Sequence, residues 1–494
     1  MSHGAEARFT SRLGLLLSVL GIAVGTGNIW RFPRIAAQNS GDTGAGAFLL
    51  AWLVFLFVWS VPLIIAEYAL GRKGRKGVIG TFVRVAGERF AWMGAFVGFV
   101  ATAIMFYYSV VAGWCVYYFL AMLTRPLPLE LETSQAVWDG FQSGGWPVFF
   151  HALAMGLGAL AVAKGVRSIE RVNKILIPTL LLIVVLALGR TLTLEGSLSG
   201  LVFLFTPEWS TLTRPRIWLE ALTQNAWDTG AGWGLILTYG AYMQRKHGVV
   251  KNAVITGLGN NTVSLLAAMV IFGTVFATLG AEMSQAETLE VMKTSGPAAT
   301  GLTFIWMPQL FARMPAGGLF AILFFLGLSF AAFSSLISMI ELATRAVVDL
   351  GVARSRALAA VCGIGFALGV PSAINLGIFE NQDFVWGVAL MISGAFVSFA
   401  VICYGARRFR RDAIDGVEGD WNAGRPWDRV ISVVIPILAL VLLGWWLFLS
   451  ATVYAPDSWY DPTDPFSVMT CLVQWGVAIA LFLALNRWLA RRSG

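Results

Sequence analysis

Long apolar stretches, each with few charges, recur about twelve times along the chain. An apolar run of about 20 residues is long enough to cross the hydrocarbon core of a bilayer as a helix. Strands of a membrane barrel would be about 10 residues long and would alternate apolar with polar positions, which these runs do not do. The pattern predicts an all-α polytopic membrane protein whose helices lie near residues 13–36, 47–70, 91–123, 146–163, 172–190, 217–242, 252–281, 316–344, 357–372, 384–406, 430–453 and 466–487.

The composition excludes a soluble globular protein. Of the 494 residues, 57% are hydrophobic and 13% are charged, and the chain carries 20 Trp and 34 Phe. Soluble proteins contain about 25% charged residues, which cover the surface that faces water. The net charge of +8 could by itself suggest a nucleic-acid partner, so the placement of the basic residues decides what that charge means.

Basic residues lie mainly at one end of the predicted helices. With the N-terminus in the cytoplasm, 27 of the 35 Lys and Arg residues fall on the cytoplasmic side. The eight on the other side are Arg31, Arg34, Arg125, Arg190, Arg214, Arg216, Lys293 and Arg313. Cytoplasmic loops of membrane proteins are enriched in Lys and Arg. We therefore predict twelve helices in the plasma membrane (the bacterial inner membrane), with both termini cytoplasmic, contacts to membrane lipid and no nucleic-acid partner.

Two of the predicted helices contain clusters of glycine. The clusters are Gly21-Ile-Ala-Val-Gly-Thr-Gly-Asn28 in the first helix and Asp228-Thr-Gly-Ala-Gly-Trp-Gly234 in the sixth. Each glycine costs about 1 kcal/mol relative to alanine inside a helix, so both helices are expected to be interrupted. Unwound backbone at membrane depth occurs where it lines a cavity or is buried in protein. Close helix packing through small residues is the alternative.

The two interrupted helices stand first in two successive groups of five. Residues 1–190 hold the first group and 217–406 the second; 191–216 form an extracellular connection, and 407–494 add a cytoplasmic loop and helices 11 and 12. Because five is odd, the second group enters the membrane from the opposite face and is inverted. Inverted repeats with matching interrupted helices are typical of secondary transporters.

Several motifs resemble the neurotransmitter:sodium symporter family, in particular its bacterial amino-acid transporters. The most specific is the first-helix run from Arg12-Leu-Gly through Asn28-Ile-Trp-Arg-Phe-Pro33. The other matches are Pro62, Glu67, Gly71-Arg72, Tyr107-Tyr108, Ile169-Glu170-Arg171, Pro178, Gln224 and Ser334-Ser335. The resemblance covers nearly the whole chain. It implies a fold like that of the bacterial leucine transporter, with interrupted helices 1 and 6, and a sodium-coupled symporter that imports amino acids by alternating access.

The resemblance also implies two sodium sites and a substrate site at the helix interruptions. The first sodium site would use the substrate carboxylate with Ala23, Asn28, Asp228 and Asn260. The second would use the carbonyls of Gly21, Val24 and Ala331 and the hydroxyls of Ser334 and Ser335. Hydrogen bonding of these serines to their own preceding turn is the alternative. The substrate would lie against Ala23, Thr26, Gly27, Ile104, Tyr108, Trp227, Gly230, Trp233, Ser335 and Met339.

Two charged pairs resemble the gates of the family. Arg31 and Asp383 would close the outer side, and Asp349 with Arg8 would close the inner side. For Arg31 the alternative is a side chain that extends to the membrane interface. For Asp349 it is a solvated helix end paired with Arg345.

Departures from the family pattern bear on specificity. Asp228 replaces a hydroxyl residue of the chloride-dependent members, whose remaining chloride ligands correspond to Trp52, Gln224 and Ser264. A carboxylate there would supply the charge that chloride otherwise brings, so chloride should not be required; alternatively, it only satisfies the interrupted helix. Gly25 stands where many amine carriers have Asp, which favours a zwitterionic amino acid. Gly230, Trp227 and Trp233 predict a bulky hydrophobic or aromatic substrate.

Other functions fit the sequence less well. A channel would need rings of like residues along a pore, and no such rings are apparent. A non-transporting amino-acid sensor or receptor on the same fold stays open. Enzymatic activity has no support, because His3, His151 and His247 are scattered and no nucleophile–base pair is evident. The choice between monomer and homodimer also stays open.

Overall fold

The chain folds almost entirely into helices. The computed structural model describes residues 8–280, 282–293 and 300–494, and these ranges contain no β-strand. Each predicted span overlaps one long helix or two helix halves, with bounds that differ by up to eight residues. The spans are α1 (Arg12–Ala23 and Gly27–Gln38), α2 (Gly46–Gly74), α3 (Glu88–Thr124), α4 (Trp146–Val162), α5 (Val166–Thr191), α6 (Pro215–Asp228 and Leu235–Ala241), α7 (Val250–Leu279), α8 (Gly317–Asp349), α9 (Arg354–Ile374), α10 (Leu376–Tyr404), α11 (Gly424–Tyr454) and α12 (Val468–Ser493).

Length and composition allow most of these helices to cross a membrane unaided. Within the described ranges, nine single helices qualify, and two bent pairs bring the number to eleven. One bent pair is α1, whose halves meet at 52°; in the other, Leu131–Gln142 meets α4 at 71°. The two short halves of α6 supply the remaining predicted span. Further short helices in the connections are Val78–Val85, Ser197–Phe205, Gln285–Lys293, Met307–Ala312 and Ala406–Ala413.

The packed centre of the molecule lies around α3 and α8, which are in extensive contact. In the most apolar part of α3, 78% of the residues are buried inside the protein, against 22% for α12. Peripheral helices expose large apolar side chains, such as Leu160 on α4 and Leu440 on α11, each about 70% exposed. An apolar exterior is stable against lipid tails rather than against water, so the helices at the periphery face the bilayer.

Glycine and one buried carboxylate explain how α6 is interrupted. Gly230, Gly232 and Gly234 adopt positive φ angles of 68°, 87° and 78°, a conformation that other residues rarely accept. The Glu67 carboxylate of α2 is fully buried and accepts hydrogen bonds from the backbone N–H groups of Gly232 (2.5 Å) and Leu237 (2.9 Å). Since a buried N–H without a partner is costly, α2 stabilises the unwound segment.

Candidate functional site

A cavity of about 610 Å³ lies between the interruptions of α1 and α6. Its wall includes nine of the ten residues expected to contact substrate: Ala23, Thr26, Gly27, Tyr108, Trp227, Gly230, Trp233, Ser335 and Met339. The tenth, Ile104, is fully buried and lies outside this wall. The other end of the cavity is lined by Gln38, Arg216 and Lys293, at the end of α1 farthest from Arg12. The cavity therefore reaches from the helix interruptions toward one side of the molecule.

Two indole rings form an apolar wall of the cavity. Trp227 and Trp233 pack edge to face with ring centroids 6.0 Å apart, and the Trp233 Nε1–H donates to the Ala226 carbonyl at 3.1 Å. A Cβ atom at Gly387 of α10 would collide with the Trp227 ring. The sequence pattern gave no indication of Gly387, because its contact with Trp227 joins residues 160 positions apart.

Another part of the cavity wall is polar and lies at the interruption of α1. The Tyr108 hydroxyl lies 3.4 Å from the backbone nitrogen and 3.2 Å from the hydroxyl of Thr26. A Cβ atom at Gly25 would lie 2.9 Å from Ser335 Oγ and 3.2 Å from the Tyr108 hydroxyl. This corner therefore has hydrogen-bonding groups but no room for a side chain at position 25.

The expected ligands of the first sodium site also come together, around the Asn260 amide. One terminal atom of the Asn260 amide lies 3.0 Å from the Ala23 carbonyl oxygen and 3.0 Å from the Asp228 carbonyl oxygen. It also lies 2.7 Å from Asn28 Nδ2. With the amide nitrogen in that place, Asn260 donates to both carbonyls. With the amide oxygen there, three acceptors face one another, an arrangement that suits a hard cation with oxygen ligands.

The expected ligands of the second sodium site also come together, between α1 and α8. The Ser334 hydroxyl is within 2.9 Å of the Ala331 carbonyl oxygen and 3.4 Å of the Val24 carbonyl oxygen. The Ser335 hydroxyl is 3.4 Å from the Gly21 carbonyl oxygen. The Ile22 carbonyl, 3.3 Å from Ser335, joins this cluster although the sequence analysis did not name it. Carbonyls freed at a helix interruption together with hydroxyls can ligate Na⁺.

Asp228 lies in a polar pocket beside the first cluster. Its Oδ2 accepts from Gln224 Nε2 at 3.3 Å and from the Ser264 hydroxyl at 3.4 Å, whereas its buried Oδ1 has no hydrogen-bond partner among the described residues. Ser264 also accepts from Asn28 Nδ2 at 2.7 Å. The buried indole nitrogen of Trp52 likewise has no partner in the part of the chain that the structure describes.

The residues expected to form gates occupy opposite sides of these clusters. Arg31 and Asp383 both line the cavity, but within the described ranges no ion pair joins them, and the Arg31 guanidinium lies 4.7 Å from the centre of the Trp227 ring. Asp349 pairs with Arg345 at 3.0 Å and accepts from the backbone N–H of Gly77 at 2.5 Å. The pairing of Asp349 with Arg8 stays a prediction.

Two further residues of the cavity wall are charged and buried, and the sequence pattern did not identify them as site residues. Arg34 and Glu220 line the cavity and are 8% and 7% exposed. Glu220 could have been identified from the sequence, since it lies near the start of the predicted span 217–242. Charged groups inside membrane spans are costly and mark functional regions.

Comparison with known proteins gives a consistent assignment. The model of the sodium:neurotransmitter symporter family matches residues 6–142 and 145–490. An uncharacterized sodium-dependent transporter of Methanocaldococcus jannaschii is 31% identical over 458 residues, covering 89% of this chain and 90% of the relative. The sodium-dependent transporter YhdH of Bacillus subtilis is 28% identical over 468 residues, covering 90% and 98%. The crystal structure of MhsT in complex with L-phenylalanine superposes with a TM-score of 0.74 at 29% identity, covering 88% of this chain and 98% of MhsT.

These similarities confirm the predicted fold class, an all-α membrane protein like the bacterial leucine transporter. The same similarities show that the protein is a sodium-dependent, multi-pass membrane transporter of a small molecule. Its relatives are transporters, so the protein is not an enzyme. The chain belongs to the sodium:neurotransmitter symporter family.

Proposed function

We propose that this protein imports a bulky hydrophobic or aromatic amino acid together with Na⁺ by alternating access. The observation that carries the proposal is the position of two clusters of carbonyl, hydroxyl and amide groups at the interrupted helices, beside a cavity with an apolar aromatic wall. Ion and substrate sites that share an interrupted helix can be coupled, because occupation of one site changes the backbone that forms the other.

Two Na⁺ ions would bind at these two clusters. Asn28 and Asn260 with the Ala23 carbonyl, the Asp228 residue and the substrate carboxylate would hold the first ion. The serine hydroxyls of α8 would hold the second, with the carbonyls of Gly21, Val24 and Ala331. The first Na⁺ lacks one ligand until the substrate carboxylate binds. Bound substrate would therefore raise the affinity for the first Na⁺, and bound Na⁺ would raise the affinity for substrate.

The cavity supports a zwitterionic amino acid as substrate. Tyr108 offers a hydroxyl near the α1 interruption, where the substrate carboxylate could reach both it and the first Na⁺. Position 25 has no carboxylate to pair with an amine, and Ser335 and Tyr108 fill the space that such a side chain would need. The indoles of Trp227 and Trp233 suit a large apolar side chain, and MhsT is known with L-phenylalanine.

Chloride independence follows from Asp228 in this proposal. Its buried carboxylate, hydrogen-bonded to Gln224 and Ser264, would place a negative charge beside the Na⁺ of the first site. A second anion in the same pocket would be repelled, so transport needs no chloride.

The proposed orientation places both termini in the cytoplasm, so that the cavity opens outward. Arg31 and Asp383 would move together above the bound substrate to close the outer side. Asp349 would then separate from Arg345 and Gly77, which would open the inner side. The protein would thereby change from one packed conformation to another.

Thermal stabilisation of the purified protein by each of the twenty amino acids tests the proposal. We expect large apolar or aromatic amino acids to raise the Tm in NaCl and in sodium gluconate, and to have little effect in KCl. Equal stabilisation in Na⁺ and K⁺ would contradict sodium coupling. Stabilisation only by small or charged amino acids would contradict the assigned substrate class.

A further inference from the structure

The short helix Ala406–Ala413 follows α10 and packs against the second half of α2. One side of this helix is fixed inside the protein, where Phe409 is fully buried. The buried Arg410 guanidinium pairs with Asp415 and, at 2.8 Å, with Asp428. The other three arginines of the helix are exposed, and they are Arg407, Arg408 and Arg411. The helix therefore neutralises one arginine inside the protein and presents three on the surface.

Two cations from different helices meet at the ring of Tyr404, the last residue of α10. Lys73 Nζ lies 4.7 Å from the centre of this ring, and Arg408 Cζ lies 5.3 Å from it. The Tyr404 hydroxyl donates to Asp412 at 2.9 Å, and the ring packs edge to face with Phe409. Aromatic faces attract cations, so the fixed ring keeps the two charged ends within about 10 Å of each other.

Acidic side chains balance little of this charge. Within the described ranges, no ion pair involves Lys73, and that of Arg408 is with Asp412 at 3.5 Å. The Arg408 and Asp412 side chains are 71% and 39% exposed. Such exposed pairs contribute little to stability, so Arg408 can turn toward another anion. Lys73 is exposed as well, and both side chains are long enough to approach one anionic group between them.

A further cation borders the same end of α10 from the start of α3. Arg89 is exposed, and its guanidinium lies 4.6 Å from the centre of the Phe90 ring. Phe90 in turn packs edge to face with Phe399 of α10, at a centroid distance of 5.1 Å. These contacts place Arg89 beside the last turns of α10. We call the exposed cations around this helix end the basic patch; they are Lys73, Arg89, Arg407, Arg408 and Arg411.

Apolar surface adjoins the basic patch. Ile402 is 36% exposed and Cys403 is also exposed, and both belong to the last turn of a membrane-spanning helix. A soluble anion would use only the charges, whereas a phospholipid can also place an acyl chain against such a surface. The orientation of the helices requires basic residues in these connections, but it does not require that they gather around one helix end. The arrangement therefore favours a lipid over a soluble anion.

We propose that the headgroup of an anionic phospholipid binds at the basic patch, with its phosphate between Lys73 and Arg408. Arginine can bind a phosphate through two parallel hydrogen bonds, and lysine attracts it as a point charge. Because Lys73 lies at the end of α2 and Arg408 follows α10, the bound lipid would hold these two helices together. The lipid belongs to the cytoplasmic leaflet, whose anionic surface attracts basic segments. That leaflet rests on the orientation proposed above, whereas the headgroup site does not.

Thermal stabilisation by added lipid measures the binding, because a ligand that binds the folded protein raises its Tm. The full-length protein is purified in a neutral detergent, and phosphatidylglycerol or phosphatidylcholine is added at the same mole fraction. We expect phosphatidylglycerol to raise the Tm by about 3 °C more than phosphatidylcholine does, and this difference should shrink in about 1 M KCl, where surface charges are screened.

Lys73→Gln and Arg408→Gln each remove one charge of the basic patch. Each should raise the mole fraction of phosphatidylglycerol needed for half-maximal stabilisation about fivefold, as expected for the loss of one basic residue near an anionic lipid. Arg356→Gln is the matched control and should behave as the wild type. Arg356 is exposed near the start of α9, where Arg354 donates to the Val162 carbonyl of α4 at 2.9 Å, and it lies outside the basic patch.

Equal stabilisation by the two lipids, or an equal loss in Arg356→Gln and Lys73→Gln, would overturn the headgroup site. Inorganic phosphate without lipid should leave the Tm unchanged, and full stabilisation by phosphate alone would overturn the assignment to a lipid. The orientation is tested separately through Cys403, which a membrane-impermeant maleimide should modify only in inside-out vesicles, as located by mass spectrometry of its peptide. Modification in right-side-out vesicles would overturn the proposed orientation and the leaflet, but not the headgroup site.

Discussion

Replacing Asp228 by serine removes a buried negative charge and leaves a space of about two heavy atoms in its pocket. Asp228 Oδ2 accepts from Ser264 at 3.4 Å, and Ser264 accepts from Asn28 at 2.7 Å, so the carboxylate and an ion held by Asn28 are close neighbours. At a separation of about 5 Å and an effective dielectric constant of about 20, their attraction is about 3 kcal/mol. Its loss should weaken Na⁺ binding by about two orders of magnitude when chloride is absent.

Chloride should reverse most of this loss in Asp228→Ser. Gln224, Ser264 and the new hydroxyl can donate hydrogen bonds to an anion, which would return the missing charge to the same pocket. Asp228→Asn is the matched control, because it removes the charge but keeps the volume and leaves no room for chloride. Its Na⁺ affinity should fall in both salts.

The assay is the Na⁺ dependence of amino-acid uptake into proteoliposomes, with chloride or gluconate as the anion. The wild type should show the same Na⁺ dependence in both, whereas Asp228→Ser should be active only with chloride. Strong chloride dependence of the wild type would refute the reasoning. Unchanged Na⁺ affinity of Asp228→Ser in gluconate would show that the carboxylate only satisfies the interrupted helix.

Two further predictions concern glycines of the cavity wall. Gly25→Asp should abolish stabilisation by amino acids, because its side chain must enter a corner where a Cβ atom would already lie 2.9 Å from Ser335 Oγ; Gly27→Ala, with no heavy atom within 4 Å of the added Cβ, is the comparison. Gly387→Ala should displace the Trp227 ring and weaken substrate binding by about tenfold, as expected for overpacking of about 1–3 kcal/mol. Both predictions are measured as the increase in Tm that the amino-acid substrate causes in each variant. An increase equal to that of the wild type in Gly25→Asp or Gly387→Ala would contradict the proposed cavity wall.

The apolar pattern located the helices well because membrane thickness fixes their length. The helix predicted at 91–123 extends over Glu88–Thr124 in the structure, and the one predicted at 357–372 extends over Arg354–Ile374. The start of α10 was placed too late, at residue 384. Its first two turns carry polar residues that bind other parts of the protein, such as Asn381, which donates to Thr470 at 3.1 Å. A hydropathy pattern cannot distinguish such residues from a loop.

The candidate site was predictable where chemistry requires particular residue types. Glycines at 25 and 230 and the paired serines of α8 mark positions where backbone or hydroxyl oxygen is needed, and all of them lie at the cavity or its adjoining clusters. Gly387 could not be predicted, since nothing near it in the chain indicates that it meets Trp227.

The sequence by itself determined the membrane class, the positions of the spans and the two interruptions, because these depend on local composition and on the conformational cost of glycine. Only the tertiary structure decided which freed backbone groups receive partners: Glu67 binds the unwound α6, while the Ala23 carbonyl lies 3.0 Å from the Asn260 amide and the Gly21 carbonyl lies 3.4 Å from the Ser335 hydroxyl. The physical reason is that hydrogen-bond satisfaction and ion coordination depend on distances between helices that are remote in sequence.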